Sequence, residues 1–94
     1  MKKINNNYLD KIDKLINDII QEYDSPHETM TKIINYEYYT GQLHAIYNMI
    51  EEKEPIQEFI IYYEYRKNDR DNIDKKFNEK YITPVYSLVR NTKI

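Results

Sequence analysis

Apolar residues recur every three or four positions from Tyr8 to Tyr23, and charged or amide side chains occupy most of the positions between them. This spacing places the apolar side chains on one stripe of an α-helix, so it predicts a helix over residues 8–23. The opposite face carries two lysines against four acidic residues, whereas helices that lie on membranes carry an excess of basic residues. We therefore expect this helix to pack against a protein core.

A second helix is predicted over residues 26–53. Ser25 suits the N-cap, Pro26 the first helical position and Glu28 the third, which together form a capping box. The apolar residues that follow fall into two adjacent stripes, which indicates one face broad enough to contact two partner helices. The first stripe contains Ile33, Tyr36, Thr40, Leu43, Tyr47 and Ile50. The second stripe contains Met30, Ile34, Tyr38, Gly41, Ala45 and Met49.

The segment over residues 58–65 is ambiguous between helix and strand, because its aromatic and β-branched content favours a strand. No Asn-Gly or Asp-Gly hairpin turn accompanies it, and the positions from Ile56 to Phe77 again step by three and four. We therefore predict a third helix over residues 55–81, with a break near 68–72, and a short fourth helix over 84–91.

These elements predict an all-α fold in a single domain over residues 1–94. The expected architecture is a small three- to four-helix bundle built on a long antiparallel helical hairpin of the second and third helices. In that hairpin Thr40 and Leu43 would face Arg70 and Arg66.

Gly41 and Ala45 are the only glycine and the only alanine of the chain, and they lie about one turn apart in the second helix. A glycine inside a helix costs about 1 kcal/mol relative to alanine, so its presence calls for a compensating role. The pair predicts a close approach to another helix. That helix could belong to the same chain or to the second subunit of a homodimer.

The same hairpin would bring His44, Arg66 and Arg70 together beside Gly41. Arginine side chains suit phosphate and carboxylate groups, so one hypothesis is a homo-oligomeric helical protein that binds a small anion such as a nucleotide. The simpler interpretation is a salt bridge from Glu37 to an arginine, with the histidine at the edge of a packed interface. We favour the simpler one, since the register of the hairpin is itself assumed.

Several classes of function do not fit the composition. The chain has no cysteine for disulfides or thiolate metal sites, and it has neither a glycine-rich phosphate loop nor a zinc or calcium motif. No catalytic, cofactor or metal site is predicted, so we expect no enzyme. With a net charge of −2 the chain has no basic stripe for binding duplex DNA, so a nucleic-acid-binding regulator is the least favoured of the three functions considered. No apolar run is long enough to cross a membrane, and a cytoplasmic protein is expected.

Tyrosine is unusually abundant, with 11 among 94 residues. The tyrosines spread around their helices, so some must be exposed, and exposed tyrosines are enriched at protein interfaces. We therefore predict a protein that binds another protein through a tyrosine-rich helical face. The abundance of Asn, Lys, Ile and Tyr is typical of an A/T-rich genome, which suits a phage or mobile-element gene and an ordinary chromosomal gene alike. As the leading version we expect a phage or mobile-element factor that inhibits or redirects a host protein, such as a defence component. The predicted contact residues are Tyr36, Tyr38, Tyr39, Tyr47, Tyr62 and Tyr65.

Overall fold

The computed structural model describes residues 5–92, with side chains for residues 5–90. Within this range the chain is helical apart from short connections and contains no strand, which confirms the predicted all-α bundle. The first four and last two residues of the predicted domain lie outside the described part. The elements in chain order are α1 (Asn6–Tyr23), α2 (Thr29–Lys53), α3 (Ile56–Glu64), α4 (Lys67–Phe77), a π-helical turn (Asn78–Ile82) and α5 (Thr83–Thr92).

The long antiparallel hairpin is formed by α1 and α2, whereas the sequence pattern predicted it for the second and third helices. Lys32, in the first turns of α2, donates a hydrogen bond to the carbonyl oxygen of Tyr23 at the end of α1, at 2.8 Å. The buried ammonium group of Lys32 also contacts the hydroxyl of Tyr81 at 3.0 Å. The short connection after α1 explains this pairing, because it returns the chain directly along the helix it has just left.

The start of α2 lies three residues later than predicted, because the capping box does not form. Ser25 donates its hydroxyl hydrogen bond to the carboxylate of Glu22 at 2.8 Å, and the N-cap residue, Glu28, makes no side-chain capping bond. The buried Glu22 carboxylate also contacts His27 at 2.7 Å and Asn35 at 3.1 Å. The hydroxyl oxygen of Ser25 still accepts a hydrogen bond from the backbone N–H of His27 at 3.4 Å, but this closes a turn in the connection before α2 instead of capping the helix.

The predicted third helix breaks between α3 and α4, earlier than the break expected near residues 68–72. Arg66 adopts the left-handed conformation with φ 54°, which costs about 1–2 kcal/mol for a residue with a side chain. Its guanidinium group offsets this cost with hydrogen bonds to Asp13 at 3.2 Å, Asn17 at 2.9 Å and Asp69 at 3.1 Å. The kink thus turns Arg66 towards α1.

The last predicted helix is not separate from the third. Asn78, which follows α4, has ordinary right-handed helical angles, and the π-helical turn leads into α5 without a break. Pro84, which has no N–H to donate, is the second residue of α5 and follows the π-helical turn directly, and the helix continues through it.

Aromatic side chains fill much of the core. Phe77 is fully buried, and its ring stacks on Tyr36 at a centroid distance of 4.6 Å. Tyr23 and Tyr81 contact the Phe77 ring at 5.5 Å. The buried hydrophobic residues form one cluster: Ile12, Ile16, Ile19, Ile33, Tyr36, Leu43, Tyr47, Ile50, Tyr62, Ile73, Phe77 and Tyr81.

Candidate functional site

Three of the six tyrosines predicted to contact a partner are buried, so their assignment to an exposed face is wrong. Tyr36, Tyr47 and Tyr62 belong to the core. The hydroxyl of Tyr36 donates a hydrogen bond to Asp74 at 2.9 Å, and that of Tyr62 accepts one from the backbone N–H of Asn5 at 2.7 Å. Because their hydroxyls reach polar partners at the edge of the bundle, these rings can serve as core residues.

The other three tyrosines differ in exposure. Tyr65 is half-buried, and its hydroxyl donates to Asp13 at 2.9 Å, a bond that raises the pKa of the phenol. Tyr39 is half-buried beside the core, with the ring of Tyr38 at 5.8 Å from its own. Tyr38 is 63% exposed. Of the six predicted contact tyrosines, Tyr38 alone is exposed.

The three residues of the predicted anion pocket are only partly brought together. Nη2 of Arg70 lies 3.5 Å from Nε2 of His44, whereas Arg66 contacts Asp13 and Asn17 of α1. The predicted register is wrong for Arg66, because the left-handed kink redirects its side chain to the other helix.

Carboxylates already accompany both arginines. Arg66 is paired with Asp13 and Asp69, and Arg70 lies 3.7 Å from Asp74. Burial raises the pKa of Asp74, against the hydroxyl of Tyr36 and the charge of Arg70, which lower it. Burial and the Asp74 contact also raise the pKa of Tyr36. This network links α2 to α4 and leaves an incoming anion in competition with carboxylates already in place.

The predicted close approach of Gly41 and Ala45 to another helix is not formed within the described chain. Both residues are exposed, and a Cβ added to Gly41 would meet no described atom within 4 Å. The reason is the rotation of α2. Its first apolar stripe faces the core, which turns Gly41 and Ala45 outwards.

The outer face of α2 is an exposed apolar surface that the sequence pattern did not identify as one. We define it by the second stripe of the sequence analysis: Met30, Ile34, Tyr38, Gly41, Ala45 and Met49. Met30 is 54% exposed and Ile34 is 59% exposed. The first stripe, which was predicted to lie beside the second, is instead on the opposite side of the helix and is buried in the core. A helix that is apolar on opposite sides is usually covered on both, whereas the described chain covers one side of α2.

An apolar groove flanks each end of this outer face. Near the start of α2, Met30 and Ile34 share a groove with Val85, Tyr86 and Val89 of α5. Near the end of α2, a second groove lies against α1, and it is lined by Lys11, Lys14, Leu15, Gln42, Ala45, Ile46 and Met49. These grooves widen the apolar surface beyond a single helix.

A second uncovered surface lies on α3. Ile56, Ile60 and Tyr63, spaced by four and three residues, share one side of this helix. We call them the α3 face. Ile56 is 77% exposed, Ile60 is 50% exposed and Tyr63 is 43% exposed. The spacing was visible in the sequence, but the pattern alone did not show which side of α3 would be covered.

Other kinds of site find no support among the described residues. In residues 5–90, no group of three or more His, Asp or Glu side chains is arranged to hold a metal ion. No helix within residues 5–92 has the length and apolar character needed to cross a membrane. Comparisons of the chain with protein-family models, curated proteins and solved structures found no match.

Proposed function

We propose that this protein is a non-enzymatic interaction protein that binds other protein chains through helical faces left uncovered by its own fold. The observation that carries the proposal is that α2 is apolar on opposite sides, and that the chain buries only one of them. Monomeric soluble proteins rarely expose contiguous apolar patches of this kind unless the patch binds something.

The residues of the outer face suit protein binding. Met30 and Met49 have flexible, polarisable side chains that adapt to a partner surface. Tyr38 supplies a large contact area at a low cost in side-chain entropy. Completing the burial of a half-exposed apolar side chain contributes roughly 1 kcal/mol, so the residues of this face together could support binding.

The α3 face is a second surface of the same character, separate from the outer face. Its residues stand beside the cation of Lys67, which lies 5.6 Å from the ring centre of Tyr63. A partner at the α3 face would therefore meet isoleucine side chains next to a basic edge. Two independent faces allow the chain to bind two partners at once.

Many polar side chains of the protein form hydrogen bonds and ion pairs with one another, so they serve the fold, which supports the same proposal. The Glu22 carboxylate is hydrogen-bonded to Ser25, His27 and Asn35, and the Arg66 guanidinium group forms salt bridges with Asp13 and Asp69. These contacts fix helix positions and connections. We propose a host protein as the partner, as expected for a phage or mobile-element factor of this composition.

The test is affinity capture from a lysate of the native host, with each face altered in turn. Ile34→Asp changes the outer face and Ile60→Asp changes the α3 face. Gln57→Asp is the matched control, since Gln57 is an exposed polar residue on α3. We expect a host protein captured by the wild type to be lost with one apolar variant and retained with the control. Retention by both apolar variants, with helical circular dichroism unchanged, would contradict the proposal.

A further inference from the structure

We infer that the outer face of α2 binds the outer face of a second copy of this chain, with the two α2 helices antiparallel. The inference rests on the proposed function, because it names the partner of one of the two uncovered faces. It leaves the α3 face for a different protein.

The spacing of the outer face matches such an arrangement. Its residues follow one another in steps of four, four, three, four and four, which read the same in both directions. A two-fold axis between Tyr38 and Gly41 therefore places each position of one helix opposite a position of the other. Met30 then faces the partner's Met49, and Ile34 faces the partner's Ala45. Tyr38 faces the partner's Gly41.

The sizes of the opposed side chains are complementary. Tyr38, the bulkiest residue of the face, meets the partner's Gly41, which has no side chain. Ile34 meets the partner's Ala45, which has the next smallest. Gly41 has no packing role within the described chain, because a Cβ there would meet nothing within 4 Å. A tyrosine ring from a second copy, packed against the backbone at Gly41, would explain why this position is a glycine.

The charges at the edge of the face agree with this pairing. No residue of the outer face is charged. Glu37 lies beside it, is exposed, and has no ion pair among the described residues. In an antiparallel pair each edge of one helix meets the same edge of the other, so Glu37 falls beside the partner's His44. The dimer contains two such carboxylate–imidazole contacts and no opposed like charges on this edge of α2.

The size of the face fits a dimer of moderate stability. From Met30 to Met49 the helix extends about 28 Å, and an apolar groove widens the surface at each end. A strip of this length and one to two helix diameters wide, about 10–20 Å, covers roughly 280–560 Å², less than the ~800 Å² that each partner contributes to a standard interface. We therefore expect a dimer that dissociates on dilution.

Pairwise cross-linking tests the register. The chain contains no cysteine, so every thiol is an introduced one. A mixture of the Ile34→Cys and Ala45→Cys proteins, treated with a short bis-maleimide, should form mixed dimers in large excess over either variant alone. In the control mixture of Ile34→Cys and Met30→Cys, the two thiols of an antiparallel pair would be about 22 Å apart along the axis. Equal cross-linking in both mixtures, or efficient cross-linking of Ile34→Cys with itself, would overturn the inference.

Sedimentation velocity over a range of concentrations tests the role of the glycine. Gly41→Leu should raise the dimer dissociation constant at least tenfold, although Gly41 is exposed in the isolated chain and a Cβ added there meets nothing within 4 Å. Gln57→Leu adds the same side chain on α3 and should leave the dissociation constant unchanged. A wild-type protein that stays monomeric at several hundred micromolar would overturn the inference, as would an intact Gly41→Leu dimer.

The capture experiment separates failure of the dimer from failure of the proposed function. Loss of the dimer in Gly41→Leu with retained capture of a host protein supports both claims and places the host protein on the α3 face. Capture that depends on Ile34, from a protein that never dimerises, overturns the dimer and keeps the proposed function. If the protein forms no dimer and capture depends on neither face, both the dimer and the proposed function are overturned.

Discussion

Replacing Arg66 by glycine and by alanine tests the kink between α3 and α4. Arg66 has φ 54°, a conformation that glycine adopts freely and that alanine adopts at a cost. Both substitutions remove the guanidinium group. Its hydrogen bonds to Asp13, Asn17 and Asp69 are therefore lost in each variant and cancel when the two variants are compared.

The expected difference has a definite sign. Alanine at position 66 carries the penalty of about 1–2 kcal/mol for a left-handed conformation, which glycine avoids. The greater conformational freedom of glycine in the unfolded chain removes part of this advantage of the glycine variant. We expect Arg66→Gly to be more stable than Arg66→Ala by about 1 kcal/mol. In a domain of this size, that corresponds to roughly 4–8 °C in the melting temperature. Both variants should be less stable than the wild type, because the hydrogen bonds that the charged guanidinium group donates to Asp13, Asn17 and Asp69 are lost.

The assay is urea unfolding followed by circular dichroism, with an ordinary helical position as the control. Asn72 is exposed within α4, so Asn72→Ala should be more stable than Asn72→Gly by about 1 kcal/mol. The order of glycine and alanine is thus expected to reverse between positions 66 and 72. If alanine is the more stable residue at both positions, the chain does not kink at Arg66 and the account of the break is wrong.

Two further predictions concern the core and acid stability. Phe77→Ala should lower the free energy of unfolding by about 3–5 kcal/mol, because the ring is fully buried; a urea-unfolding loss below about 1 kcal/mol would contradict that burial. Burial raises the pKa of Glu22, but hydrogen bonds from His27, Ser25 and Asn35 outweigh it and hold the pKa below its ordinary value of 4.5. The stabilisation from Glu22 is therefore full above pH 4.5 and is lost as the pH falls through the lowered pKa. Glu22→Gln should flatten the acid side of a plot of stability against pH, and an unchanged slope would contradict this role.

The helical character of the chain could be predicted from local spacing. The predicted helix over residues 8–23 agrees with α1 within two residues, and the predicted end of the second helix at Lys53 agrees with α2. The ambiguous segment over residues 58–65 is helical up to Glu64. Such agreement is expected where a three- and four-residue period persists over several turns, since that period reflects the geometry of the α-helix itself.

Features that depend on contacts distant in sequence could not be predicted in the same way. Ser25 fits the pattern of a helix cap, but its hydroxyl bonds to the buried carboxylate of Glu22 and to the backbone N–H of His27 in the connection, and α2 begins only at Thr29. The helix breaks at Arg66, although position 66 is not occupied by glycine, asparagine or proline, the residues that usually mark a helix end. Contacts with Asp13 and Asn17 on α1 stabilise the strained backbone at this position. In both places a tertiary interaction outweighs a local preference of about 1 kcal/mol.

The sequence by itself determined that α2 carries two apolar stripes and that a small-residue pair lies in the middle of one of them. Only the tertiary structure decided which stripe is buried, because periodicity defines the faces of a helix but not the partner that covers each face. The chain covers the stripe that contains Tyr36 and Tyr47 and leaves the stripe around Gly41 open. Tyr36 and Tyr47, which were expected at a partner surface, thus lie in the core, because they belong to the stripe that the other helices cover.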